Sequence, residues 1–197
     1  MLEAARTLVS VDEPINCPVV LIDSLPVPDS PRAWAADHPE VLRGLYARFD
    51  LDNGIGRVNG ISAQGLMNAG EKLARWISRL PTELSEGIRL ELPGLPASSG
   101  RDVAPFIRAG APAFPMAGAI WEYATTQHTV VCTYDKLVPE ELRHNATLLA
   151  MLVYLADQDV ELMTRSQRAI LSSPRAPNPR PWPDCGSVRA RRSAPPT

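Results

Sequence analysis

Apolar residues recur along this chain in two rhythms, and the alternation between them predicts its architecture. Residues 2–8 carry a helical pattern, and the continuous run Pro18-Val19-Val20-Leu21-Ile22 predicts a short buried strand. A proline-broken loop follows through Pro26, Pro28 and Pro31. Behind Pro39, with Asp37 and His38 at the helix start, Val41, Leu42, Leu45 and Tyr46 return at helical spacing. Residues 47–51 predict a strand, ended by the turn pair Asn53-Gly54. Residues 66–80 predict an amphipathic helix with Leu73, Trp76, Ile77 and Leu80 on one face. Residues 88–92 alternate as a strand should, and a loop over 93–100 leads to a turn and helix over 102–110. Residues 111–114 predict another short strand. The strongest element spans 139–159, a helix with Leu142, Ala146, Leu149, Val153 and Ala156 toward the core. Strands alternating with helices predict an α/β layered fold, with a mainly parallel central sheet flanked by helices.

Composition narrows the picture. A hydrophobic fraction of 45% over 197 residues supports a real core. The 20 basic and 22 acidic residues leave a net charge of −2, which points away from nucleic acid and membrane surfaces as partners. The sequence has no apolar run of about eighteen residues, and residues 1–6 lack a signal-peptide pattern, so neither a membrane span nor export is predicted. Cys17, Cys132 and Cys185 are odd in number and widely spaced, as unpaired thiols are. Of the 20 prolines, seven lie at or beyond Pro174, beside Arg175, Arg180, Arg189, Arg191 and Arg192. Such a segment buries too little to offset its ordering entropy, so residues 172–197 are expected to form a disordered Pro/Arg-rich tail. The folded domain is expected over 1–165.

Asp52 carries the first chemical interest. In open α/β sheets functional groups gather at the carboxyl ends of strands. The strand over 47–51 places Asp52 there, followed by a turn. The same position suits an aspartate that simply caps the turn. His128 lies in a polar loop, where surface histidines are common. His38 stands at a helix start and His144 is expected on the solvent side of the late helix, each without a partner at ligand spacing.

Five segments in one order extend these observations. They are Asp52-Asn53-Gly54 with Gly56-Arg57; Ser99-Gly100-Arg101-Asp102-Val103-Ala104-Pro105-Phe106 running into Gly110-Ala111-Pro112-Ala113; Gln127-His128-Thr129; Thr133-Tyr134-Asp135-Lys136; and Asn145-Ala146-Thr147. Together with Arg32-Ala33-Trp34-Ala35-Ala36-Asp37-His38-Pro39-Glu40, they resemble the co-catalytic di-zinc aminopeptidase family, which includes glutamate carboxypeptidase-like enzymes. The resemblance covers about residues 1–160. It implies a zinc-dependent exopeptidase fold, zinc as cofactor and peptides as substrates. It also implies Asp52 and His128 as metal ligands, with Asp102 and Cys132 at supporting positions. Family members are often exported, although nothing in this sequence directs export.

The departures from the family pattern matter as much. The resemblance implies a His-x-Asp motif and a bridging aspartate upstream of the helix that begins at Met1. The expectation is therefore an N-terminally truncated domain. The family's catalytic glutamate pair falls near Ser24 and Leu25, neither of which is a general base near neutral pH. Within residues 24–29 the one acid is Asp29. Cys132 stands where the family has an aspartate, and Val103 where it has a histidine. Peptide hydrolysis requires a metal-bound water with its pKa lowered to about 7. It also requires a base that takes the proton, worth roughly 10²–10⁴ in rate.

Three readings follow. The first is a truncated, catalytically impaired homologue. The second is an active zinc exopeptidase whose missing ligands come from upstream or from another chain, and the third is a non-enzymatic interaction module that uses the tail or an exposed sheet edge.

Overall fold

The computed structural model describes residues 1–12, 14–22, 30–53, 56–94, 102–119, 123–126 and 129–167. Its strands are β1 (Arg48–Asn53), β2 (Val58–Ser62), β3 (Arg89–Glu91) and β4 (Ala113–Gly118), joined in the order β1-β4-β2-β3. β1 runs parallel to β4 and β3 parallel to β2, while β2 and β4 are antiparallel. The sheet is therefore mixed, with parallel pairing predominating. Around it lie α1 (Leu2–Ser10), α2 (Ser30–Asp37), α3 (Pro39–Gly44), α4 (Ala69–Ile77), α5 (Thr82–Ser85), α6 (Ala104–Arg108), α7 (Tyr123–Thr126) and α8 (Pro139–Asp157).

The two-residue alternation of the strands divides the core. Phe49, Phe114 and Met116 face α1, α4 and α8, where they join Leu8, Leu73, Trp76, Leu148, Leu152 and Leu155 in one buried cluster. Each large apolar side chain so buried contributes about 1.5–3 kcal/mol. Phe49 and Phe114 are register partners in β1 and β4, with ring centroids 5.8 Å apart. Ala113, on the opposite parity of β4, belongs to a second cluster with Ala35, Leu42, Val103, Phe106 and Ile107 from α2, α3 and the α6 region. Helices thus cover both faces, the arrangement that a largely parallel sheet requires.

Most predicted elements form. The Leu73, Trp76 and Leu80 face is buried as expected, although α4 begins only at Ala69. Ahead of it, Leu66 makes a bridge to Gln167 and Met67 donates its N–H to Ser166 O at 2.9 Å. α8 buries Asn145, Leu148, Leu149, Ala150, Leu152, Leu155 and Ala156. That stripe is turned from the predicted one: Leu149 and Ala156 belong to it, but Leu142 is 44% exposed. The turn arises because α8 contacts α1, α4 and α5 together, so its buried surface is wider than a single a/d seam.

Other expectations are corrected. Residues 18–22 form no strand, and Val19, Val20 and Leu21 are 43%, 52% and 41% exposed. The chain just before them is held elsewhere: Asn16 N–H and Cys17 N–H donate to the Asp157 carboxylate at 2.9 and 2.7 Å, at the end of α8. Only Ile22 of that run packs partly against the second cluster. Pro31 is not in a loop but in the first turn of α2, where its missing N–H has no helical partner to lose. α2 and β2 are elements that the periodicity does not announce. The loop positions Pro26 and Pro28, residues 95–100 and the tail 172–197 lie outside the described residues.

Candidate functional site

The carboxyl ends of β1 and β4 lie side by side because the two strands are parallel neighbours. Asp52 stands at this edge. The register with β4 shifts between Leu51 and Asn53, so Asp52 is the residue at which the ladder is interrupted. Bulges of this kind bend a strand and recur beside functional sites. The description of Asp52 stops at its backbone, and His128, Ser24, Leu25 and Asp29 lie outside the described residues.

Asp102 is half-buried in the turn that enters α6. Val103, beside it, is fully buried in the second cluster. Its side chain is thus a packing element where the resemblance predicts a histidine. Cys132 is an exposed free thiol, and its backbone N–H donates to Thr129 O at 3.1 Å. Among the described residues no three His, Cys, Asp or Glu side chains come together as a metal group.

The same edge holds a polar arrangement that the periodicity does not reveal. Gly56, Arg57 and Val58 enter β2 beneath the first half of α8. Asn145 accepts from Val58 N–H at 2.9 Å and donates to Gly56 O at 3.0 Å. Arg57 donates twice to the Glu141 carboxylate, each at 3.1 Å, and Ala119, just past β4, donates its N–H to Arg57 O at 2.9 Å. A Cβ on Gly56 would lie 2.5 Å from Ala119 O, so the close approach of these two segments depends on glycine.

His144, one turn into this half of α8, is half-buried rather than solvent-facing. Its Nε2 is buried and has no hydrogen-bond partner among the described residues. Burial, reinforced by the Arg57 charge and opposed by Glu141, holds its pKa below the ordinary 6.5. The shift favours the neutral imidazole. Its position four residues after the Pro139-Glu140 helix start, on an otherwise polar turn, gave no sign of burial.

Beneath the other face, Arg48 donates to Asp50 Oδ1 at 2.7 Å, and its guanidinium carbon sits 3.9 Å from the Phe106 ring centroid. Trp34 stacks on Phe106 at 5.7 Å and His38 on Trp34 at 4.5 Å. His38 Nδ1 lies 2.8 Å from Trp34 O. His38 is therefore engaged in packing α2 against α3.

Comparison of the sequence with family models and with curated proteins returns no match. Among solved structures, the chain is similar to the crystal structure of a Peptidase M28 precursor from Shewanella amazonensis SB2B, with a TM-score of 0.68 and 19% identity. The likeness covers 85% of this chain and 37% of that one. The chain thus shares the metallopeptidase-like α/β fold of that protein and spans 37% of its length.

Proposed function

We propose that this chain is a zinc-aminopeptidase-like domain that does not itself hydrolyse peptides. What supports the reading is the donor set that the resemblance implies. Asp52 lies near the carboxyl end of β1, His128 follows β4 by ten residues in the sequence, and Ser24 and Leu25 fall near where the resemblance places the glutamate pair.

A hydrolytic zinc keeps about three protein ligands and one open position. Asp52 and His128 supply fewer. Ser24 and Leu25 offer no group that takes a proton from water near neutral pH. Buried Val103 and exposed Cys132 stand at two further polar positions of the family pattern. The donor set that the resemblance implies does not fit a hydrolytic zinc centre.

Calorimetric zinc titration of the chain and of His128→Ala, beside aminoacyl-anilide hydrolysis, tests the reading. The expected outcome is no hydrolysis, with zinc binding weaker than about 1 μM in both proteins. Hydrolysis that disappears with His128→Ala overturns it. Tight binding that His128→Ala abolishes also counts against it, because it reveals an assembled metal site.

A further inference from the structure

A cavity of about 300 Å³ opens between α2, α3 and the end of α6, on the helical layer away from β2 and α8. Arg32 from α2 and Arg108 from α6 line it, over a floor that includes Ala35, Ala36, Leu42 and Ala109. We propose that this cavity binds a small organic carboxylate with a compact apolar body.

Charge gives the first reason. Among the described residues no acidic side chain lines the cavity; Asp37 and Glu40, the acids of α2 and α3, are not part of its lining. Neither Arg32 nor Arg108 has an ion pair or side-chain hydrogen bond among the described residues. By contrast Arg48, on the sheet side of α6, is paired with Asp50. Two arginines line one concavity, and each guanidinium is a planar fork of donors that matches a carboxylate.

Shape gives the second reason. The volume lies at the small end of ligand pockets, which combine an apolar wall with a few placed polar groups. Alanine and leucine side chains can cover a branched hydrocarbon body but offer nothing to a second charge or a sugar hydroxyl. A hydrated inorganic anion would leave that floor unused. None of the lining residues belongs to β1, β2, β4 or α8, and the proposal does not rest on the metallopeptidase reading.

Two-dimensional NMR titration of the full chain with 3-methylbutanoate, its uncharged amide and inorganic phosphate provides the test. The expected result is saturable shifts at residues 32–42 and 105–109 with the acid, and at least tenfold weaker binding of the amide and of phosphate. Arg32→Ala and Arg108→Ala should each weaken the acid at least tenfold, and Ala36→Glu should do so by placing a negative charge in the cleft. Arg32, Arg108 and Ala36 are exposed, so unchanged amide spectra elsewhere will show that the variants fold. The proposal is overturned by equal binding of acid and amide, by phosphate binding as tightly as the acid, or by no saturation up to about 10 mM. Indifference to all three substitutions overturns it as well.

Discussion

Lys72 and Asp159 meet in an ion pair 3.2 Å long, with side chains only 1% and 6% exposed. Asp159 also accepts the Trp76 indole N–H at 2.9 Å and lies 3.7 Å from Arg75. Lys72 donates to Glu161 O as well, and the Tyr46 hydroxyl donates to Asp159 O at 3.1 Å. The chain after α8 is thereby fastened to α4. Burial, then the nearby Asp159 charge, pushes the Tyr46 phenol up to about 12.

Removing one partner of a buried pair leaves an uncompensated charge, at a cost of about 3–5 kcal/mol. Lys72→Met alone and Asp159→Ala alone should each lower unfolding stability by about 3 kcal/mol. The double variant should lose less than the sum of the two single losses. Urea unfolding of the four proteins measures this, and strict additivity would show that the pair is not coupled.

Acid should weaken the fold through two carboxylates at this end of α8. Burial raises the pKa of Asp159, but the Glu161 N–H, the Trp76 indole and Lys72 outweigh it and hold the group below its ordinary 3.8. Asp157 behaves alike: burial is overcome by the N–H groups of Asn16 and Cys17. A depressed folded pKa means that the stabilisation is complete above the unfolded value and is lost as pH falls through the folded one. Melting temperature should therefore drop steeply below about pH 4, and Asp157→Asn or Asp159→Asn should flatten that limb. Thermal scans from pH 6 to pH 2.5 will read it, and an unchanged slope in both variants would refute the assignment.

His144 contributes a second pH window with a related sign. The unfolded chain takes up a proton near the ordinary 6.5, whereas the folded chain resists it because the ring is buried beside Arg57. Acid thus favours unfolding: this contribution is intact above 6.5 and declines as pH falls below it. His144→Leu fills the site without a titrating ring and leaves no unpartnered nitrogen. It should remove part of the stability difference between about pH 7.5 and pH 5.5, as chemical unfolding at the two pH values will report.

Asn145 joins α8 to the start of β2 through both halves of its carboxamide. Asn145→Ala strands a buried N–H and a buried carbonyl, and should cost about 2–4 kcal/mol. Asn145→Asp keeps the acceptor for Val58 but loses the donor to Gly56, and should fall between the two. Hydrogen exchange at Val58 should accelerate in the alanine variant and much less in the aspartate one. Equal exchange in all three proteins would show that the contact is not what holds β2.

Where the local pattern decided the structure, the sequence reading and the fold agree. The Leu73, Trp76 and Leu80 face of α4 follows from helical spacing alone, because only one face of a helix can turn to the core. β1, β4 and the existence of α8 are legible for the same reason. The predicted strand 47–51 stops two residues short of β1, so Asp52 lies within the strand rather than after it. The run 18–22 is where this reasoning fails: apolar residues do not make a strand unless a sheet edge is within reach, and the Asp157 carboxylate holds the preceding residues at the far end of α8.

What the sequence determined by itself is therefore periodic: which residues share a face, where chain direction changes, and the α/β alternation. Tertiary structure alone decided that β4 inserts between β1 and β2, that His144 is half-buried, and that Lys72 finds Asp159. The physical reason is range. Hydrophobic periodicity is a property of neighbouring residues, whereas a strand's neighbour and a buried charge's partner are set by chain folding over tens of positions, 87 of them between Lys72 and Asp159.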